Sequence, residues 1–385
     1  MKFLLKFLKW FAIFIATLII ALYIFDVDYL LRAVKTIYFK GYTTAFLEDY
    51  KEFPNREIKK GIAQPWSIAS DYNSVTATQN LEKTHKELKT IAFLIIKNDS
   101  IWHESYFDGF DKSSKSNSFS IAKSIVTMAL GKAIMEGKIK SLEQKVTDFF
   151  PELKGKFAKE VTVGDLSSMA SGLNWDEKYY SPFSIVTRAY FDDDLDKVIL
   201  GLNIIEKPGK SFKYLSGATQ LLAMCLEKAT GEHLSHYVSK HFWQPMGAEN
   251  EALWQLDEAP DGIEKAYCCI ASNARDFARF GKLYLHNGNW NGQQLLDSSF
   301  VKKCITPRFN ESPHYGYGWW MHTILGKKLY YMRGHLGQFV IVIPEDQLII
   351  VRLGHLKGLQ TKEDPHSNDL YTYVEETYQM LNNRK

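Results

Sequence analysis

Hydrophobic patterning is strongest at the amino terminus. An uncharged apolar run extends from Trp10 to Phe25, preceded by Lys2, Lys6 and Lys9. With the mostly apolar residues before it, the run approaches the ~20 residues a helix needs to cross a bilayer. It ends in Leu22-Tyr23-Ile24-Phe25, with no small-x-small cleavage site. The pattern predicts an uncleaved signal anchor over residues 1–25. A cleaved signal peptide is the alternative, and a buried core helix fits a terminal position less well. The three lysines favour a cytoplasmic amino terminus and a body exported to the periplasmic or extracellular side. Arg32, Lys35 and Lys40, beyond the run, weigh the other way.

Residues 26–84 show no clear period. They include Phe53-Pro54-Asn55 and Gln64-Pro65-Trp66. The stretch is too aromatic for a disordered linker and is expected to pack on the body as a connector. A regular body then occupies 85–385. Thr90 to Ile96 is a β-type run, Lys97-Asn98-Asp99-Ser100 a turn, and Ile101 to Phe107 alternates, which predicts a hairpin. Ser118-Phe119-Ser120 leads into a helix with apolar Ile121, Ile125, Met128, Ala129 and Ala133, stopped at Gly137. Further helices are predicted at 163–170, 216–229, 233–243, 273–286 and 297–304. Strands follow at 328–333, 338–343 and 347–353, with a closing helix at 367–382. Strands at both ends with helices between predict an α+β fold. Its antiparallel sheet is made from both termini and carries a mainly helical insertion.

Composition narrows the function. The 385 residues are 45% apolar and 24% charged, with a net charge of +3. No Lys/Arg stripe argues for nucleic acid. The four cysteines form no CxxC pair, and adjacent Cys268 and Cys269 are expected to be poorly placed to bridge each other. A zinc ribbon or disulfide scaffold is not expected. No Gly-x-Ser-x-Gly elbow, His-Glu-x-x-His motif or phosphate-cradling glycine loop is present, so no cofactor or metal is implied. His233, His236 and His241 cluster on one predicted helix. Without a nearby acid or cysteine ligand at good spacing, they read as a solvated face.

Ser120-Ile121-Ala122-Lys123 is the pattern that carries chemistry. At i and i+3 of a helix both side chains share a face. Serine is a poor nucleophile until a base takes its proton, and a desolvated lysine can be neutral enough to do so. The helix amino terminus offers N–H groups to an oxyanion. The pair alone carries little, since roughly two such matches arise by chance in a chain this long. The second one, Ser299-Phe300-Val301-Lys302, follows Leu296-Asp297-Ser298 and reads as a capped surface helix. Two more features join the first. Tyr214, in Phe212-Lys213-Tyr214-Leu215-Ser216, sits at a loop-to-helix junction that Ser216 could cap. It is either a cleft phenol or one packed aromatic among 21 tyrosines. Gly334-His335-Leu336-Gly337-Gln338 opens a β-run, where glycines permit close backbone approach or mark a bulge.

The order Ser-x-x-Lys, Tyr-x-Ser, His-x-Gly resembles the penicillin-recognising serine hydrolases: class C β-lactamases, D,D-peptidases and related esterases. Satellite segments agree, namely Val163 to Leu173, Ala274 to Gly281 and Tyr315-Gly316-Tyr317-Gly318-Trp319-Trp320. The aromatic connector and Glu264-Lys265-Ala266-Tyr267-Cys268-Cys269 resemble the branch that includes 6-aminohexanoate-dimer hydrolases. The resemblance implies a β-lactamase/D,D-peptidase-like fold. It implies Ser120 as the acylated nucleophile, Lys123 as its base and Tyr214 as proton relay. The N–H groups of Ser120 and Gln338 would form the oxyanion hole, beside Gly337. Ser216 stands where many relatives have Asn. His335 stands where β-lactamases and D,D-peptidases have Lys. A mostly neutral histidine holds a substrate carboxylate less strongly. The expectation is therefore ester or small-amide hydrolysis rather than efficient β-lactam turnover. Tyr180, with Tyr179, lies in a predicted loop and is expected to line the substrate site or pack at the surface. A D,D-peptidase or D-aminopeptidase on cell-wall peptides is the alternative enzyme. A membrane-tethered binding protein without turnover is the alternative of another class. The expected partners are a small ester or amide and, through residues 1–25, a membrane.

Overall fold

The computed structural model describes residues 1–258, 261–361 and 363–383. The chain begins with helix α1 (Lys2–Ile24) and the short α2 (Tyr29–Thr36). Strands β1 (Asn55–Ile58) and β2 (Ser67–Ile68) and helix α3 (Gln79–Glu87) follow. Next come β3 (Thr90–Lys97), β4 (Ser100–Tyr106), β5 (Ser116–Asn117) and α4 (Ile121–Met135). The middle is mainly helical: α5 (Val163–Ser167), α6 (Ile185–Phe191), α7 (Leu195–Leu200), α8 (Ser216–Thr230) and α9 (Leu234–Val238). Then come β6 (Ala252–Gln255), β7 (Ile270–Ser272), α10 (Ala274–Leu285), β8 (Asn289–Trp290), β9 (Gln293–Gln294) and α11 (Ser298–Cys304). The end returns to β10 (Trp320–Ile324), β11 (Lys327–Gly334), β12 (Gln338–Ile343), β13 (Leu348–Gly354) and α12 (Asn368–Asn382).

The main sheet has seven strands in the order β10-β11-β12-β13-β3-β4-β2. All its pairs are antiparallel except the edge pair β2 with β4. Strands from the two ends of the body meet at β13 and β3, with Ile350 opposite Ile95. This is the α+β architecture that the pattern of strands and helices predicts.

Side-chain alternation divides this sheet between two cores. Leu94, Ile96, Val340, Val342, Ile349 and Val351 face the larger core. Phe93, Ile95, Phe339, Ile341, Ile343 and Ile350 face a smaller one shared with Leu81 of α3 and Tyr373 of α12. Both faces are covered, so β12 and β13 read as continuous apolar runs rather than alternating ones. Helix α4 is buried almost all round, and it carries the nucleophile candidate at its amino end.

A second sheet, β1-β6-β7-β5, ends two residues before Phe119. Its strand β1 comes from the aromatic stretch. Helix α1 has no buried residue and is exposed along nearly its whole length, partly covered only at Ala21 and Leu22. It is long and apolar enough to cross a membrane.

One expectation is overturned. Cys268 and Cys269 are joined by a disulfide, with Cα atoms 3.7 Å apart. Neighbouring side chains normally diverge, but Cys269 takes φ +79° and turns its sulfur back to that of Cys268. Cys225 and Cys304 are buried thiols.

Candidate active site

Ser120 immediately precedes α4, with helical φ and ψ and no capping bond from its own hydroxyl. Its Oγ is therefore left for Lys123. The Lys123 Nζ donates to Ser120 Oγ at 2.8 Å and to the Tyr267 carbonyl at 2.6 Å. Lys123 is 3% exposed and pairs with no carboxylate among the described residues. Burial brings its amine down to about 7, against a smaller opposing pull from Glu177. The unprotonated amine, the form a base requires, is thus accessible near neutral pH.

The loop before Ser120 is held in an unusual shape. Phe119 has φ +46°, a region that costs a bulky residue roughly 1–3 kcal/mol unless its surroundings impose it. The surroundings do. Phe119 N donates to Asn117 Oδ1 at 2.8 Å. Asn117 Nδ2 donates to Asp49 Oδ1 at 2.9 Å. Asp49 is fully buried and also accepts from Gln255 Nε2 and from the Tyr190 hydroxyl. An aspartate from the aromatic stretch therefore positions the loop that carries the nucleophile. Asp49→Ala removes the acceptor of four buried donors, those of Asn117, Gln255 and Tyr190 and the longer bond from Phe46 N, each costing about 1–3 kcal/mol when left unpaired. A loss of at least about 3 kcal/mol is expected in denaturant unfolding, with a fall in melting temperature. An unchanged melting curve would reject this positioning role.

Tyr214 stands opposite Lys123, whose Nζ lies 5.2 Å from the phenol ring centre. Burial, then the nearby Glu177 charge, raises the Tyr214 hydroxyl above the usual phenol range, while Ser120 acts the other way. It rests as a neutral phenol, suited to passing on a proton rather than waiting as phenolate. Ser216, expected as a cap, is instead the first residue of α8, with Leu215 in the cap position. Glu177 does the capping: it accepts from Ser216 N, and from Ser216 Oγ at 3.1 Å. It also accepts from Trp175 Nε1 and from the Tyr179 hydroxyl. Sequence spacing gave no sign of this role, because the loop bearing Glu177 is far from α8 in the chain. Glu177 holds the Lys123 amine up, so Glu177→Gln is expected to move the acidic limb of the kcat/KM profile to lower pH. A limb that stays in place would show that the two groups are not coupled.

His335 follows β11 and is packed between rings. Its ring centre lies 5.6 Å from Phe119, 5.4 Å from Tyr179 and 6.4 Å from Tyr180. Burial, helped by Lys357 and Arg333, lowers it to about 4, so it is neutral at physiological pH. Its Nε2 has no partner among the described residues. Gly334 lies against the Ser118 carbonyl, where a Cβ would come within 2.2 Å. Gly337 has φ +81° and meets the Arg352 guanidinium. Arg352 is fully buried and donates to the carbonyls of Leu336, Gly337, Leu356 and Leu88. It braces the His335 loop, a role invisible in the sequence. The Gln338 side chain is occupied with the His335 and Gly354 backbone, leaving only its main chain for an oxyanion. Tyr180 is exposed on the rim of a pocket that also contains Ser120 and Lys123.

The other Ser-x-x-Lys is a surface helix, with Asp297 capping Ser299 and Phe300. His233 and His236 are exposed. His233 lies with Glu227 and Glu264, all offering ligand atoms within 4.8 Å of one another. Glu227 precedes His233 by six residues and Glu264 follows it by 31, both outside the predicted 233–243 helix. Glu264 already pairs with Arg56 at 2.9 Å, so a cation is in place there.

The beta-lactamase family model matches residues 78–370. The 6-aminohexanoate-dimer hydrolase of Paenarthrobacter ureafaciens is 27% identical over 240 residues, 60% of each chain. This chain thus spans less than two thirds of the length of that relative. A solved structure named "Putative 6-aminohexanoate-dimer hydrolase from Bacillus anthracis" superposes with a TM-score of 0.69 at 22% identity, covering 91% of this chain and 93% of that one. A penicillin binding protein from Bacillus halodurans superposes at 0.61 with 16% identity, covering 77% and 99%.

Proposed function

The chain belongs to the beta-lactamase family, and on that premise we propose that it hydrolyses an ester or small amide through an acyl-enzyme on Ser120. The observation that carries this reading is the 2.8 Å contact from a buried Lys123 to Ser120 Oγ, with burial lowering the amine to about 7. Neutral Lys123 takes the hydroxyl proton as Oγ attacks the carbonyl carbon. The N–H groups of Ser120 and Gln338 receive the oxyanion. The C–O or C–N bond breaks, and the departing group takes its proton by way of Tyr214. Water then attacks the acyl-serine with the same groups as base, releasing acid and free enzyme. His335, neutral and without an ionic partner, favours substrates that do not need a strong carboxylate anchor. Ser216 holds Glu177 and hence the floor of the site. Helix α1 tethers the chain to a membrane, with the body on the exported side.

A small fluorophosphonate tests the reading. Covalent label mapped to Ser120 supports it, and absence of label on folded protein rejects it. The D,D-peptidase reading draws on Arg333 and Lys357, which line an open cleft at Ser120 and could meet a peptide carboxylate. Turnover of D-alanyl peptides in preference to esters would decide for it.

A further inference from the structure

Two spaces meet at Ser120. One is the open cleft with Arg333 and Lys357. The other is a narrow, mostly apolar pocket of about 80 Å³, partly open to solvent, which also reaches Lys123 and His335. One wall of this pocket is Ala33, Ile37, Tyr38, Thr44 and Ala45. The facing wall is the segment from Tyr179 to Phe191. The first wall lies before residue 78, where the family match begins, so it stands outside the part of the site that the family model describes.

That wall directly follows the apolar helix. Only Phe25 to Asp28 separate α1 from α2. The junction is tied to the body: Asp26 pairs with Arg188 and Lys197, Arg32 with Asp193, and the Tyr29 hydroxyl donates to the Pro182 carbonyl at 3.2 Å. Around it stand uncovered aromatic side chains. Phe39 is 81% and Phe183 76% exposed, with Tyr38, Tyr42 and Tyr180 also open. Aromatic rings in this number beside a membrane-length helix suit the bilayer interface. A polar substrate group entering the pocket would lose water for few partners on its mostly apolar walls, whereas an apolar chain gains by leaving water.

We propose that this pocket seats the apolar chain of an amphiphilic substrate, an ester or amide bearing a medium or long acyl or alkyl chain, between α2 and the 179–191 segment. The assignment rests on the serine-hydrolase reading above and names its substrate class. It needs no reactant besides water. The chain could come from a dissolved amphiphile or from a bilayer lipid, and the pocket chemistry is the same.

The test uses the full chain in phosphatidylcholine vesicles, with nitrophenyl acetate and nitrophenyl octanoate added from solution. The octanoate is expected to exceed the acetate in kcat/KM by at least tenfold, since each buried methylene is worth roughly threefold to fourfold. Ala45→Phe and Thr44→Phe each place a ring in the pocket, and each is expected to cut the octanoate-to-acetate ratio at least tenfold. Two variants are used so that one remains readable if the other does not fold. Fatty acid released from the vesicle lipid supports the assignment with a bilayer source, and octanoate turnover alone supports it with a dissolved source. Equal use of acetate and octanoate, or an unchanged ratio in a folded variant, overturns it while leaving the hydrolase reading intact. No acetate turnover together with no fluorophosphonate label at Ser120 overturns both.

Discussion

Ser120→Ala is expected to lower ester hydrolysis by at least about 10⁴-fold, with loss of fluorophosphonate labelling and a melting temperature within a few degrees of the parent. The size follows from the chemistry. Alanine removes the only atom that can carry the acyl group, and what remains is binding and the oxyanion site. Stability should hardly move. The hydroxyl caps nothing in α4, and Lys123 keeps the Tyr267 carbonyl as a partner. Paired measurement of rate and melting separates this outcome from simple unfolding. Full activity in a folded Ser120→Ala protein would remove Ser120 as nucleophile.

Lys123→Met is expected to lower kcat/KM by about 10³-fold or more, near the upper range for loss of a general base. In the parent protein kcat/KM should rise with pH through about 7 and then level off, because only the unprotonated amine accepts the serine proton. Methionine removes that limb together with the activity. The same lysine has a signature in stability. Its folded value is depressed from the ordinary 10.5 to about 7. Between those two values the unfolded chain holds the extra proton, so unfolding free energy rises with pH there. Below about 7 both states are protonated and the full cost of burying the charge stands. Lys265, also buried, donates to the Tyr190 carbonyl and is lowered to about 7 as well. Together these two lysines add up to two protons to the rise of stability with pH between 7 and 10.5. Lys123→Met should retain only one, a difference of up to about 1.4 kcal/mol per pH unit. Methionine replaces a buried amine with an apolar group of similar length, so the variant should be at least as stable at pH 7. Denaturant unfolding between pH 7 and 10 measures this. Equal slopes in the two proteins would show that Lys123 is not desolvated as the structure places it.

The expectations for Ser120 and Lys123 came from spacing and that for Tyr214 from motif order; their electrostatics came from elsewhere. Glu177 sets the charge near Lys123 but stands 54 residues further along the chain, on a loop with no periodic signal. Asp49 reaches the nucleophile loop from a stretch that read only as aromatic and irregular. Arg352 sits in an apolar strand and looks like an exception to it, until its donors meet the carbonyls of the His335 loop. Each acts across distances that no local pattern encodes, because hydrogen-bond partners are chosen by folding and not by sequence separation. The cysteine pair failed for a related reason. Adjacent cysteines diverge in ordinary backbone, and only the local turn at Cys269 brings the sulfurs together.

The sequence by itself determined the elements: the apolar amino-terminal helix, the 90–107 hairpin, the buried α4, and the late strands that return to it. Periods of 2 and 3.6 are local properties of side-chain placement, so they are legible without a structure. It also set the order of the serine, tyrosine and histidine motifs. Tertiary structure alone decided that Lys123 is dry, that Glu177 rather than Ser216 caps α8, and that Asp49 holds the loop before Ser120. It also decided that α2 walls the nucleophile's pocket. Those outcomes depend on which surfaces are removed from water together, and burial is a property of the assembled fold.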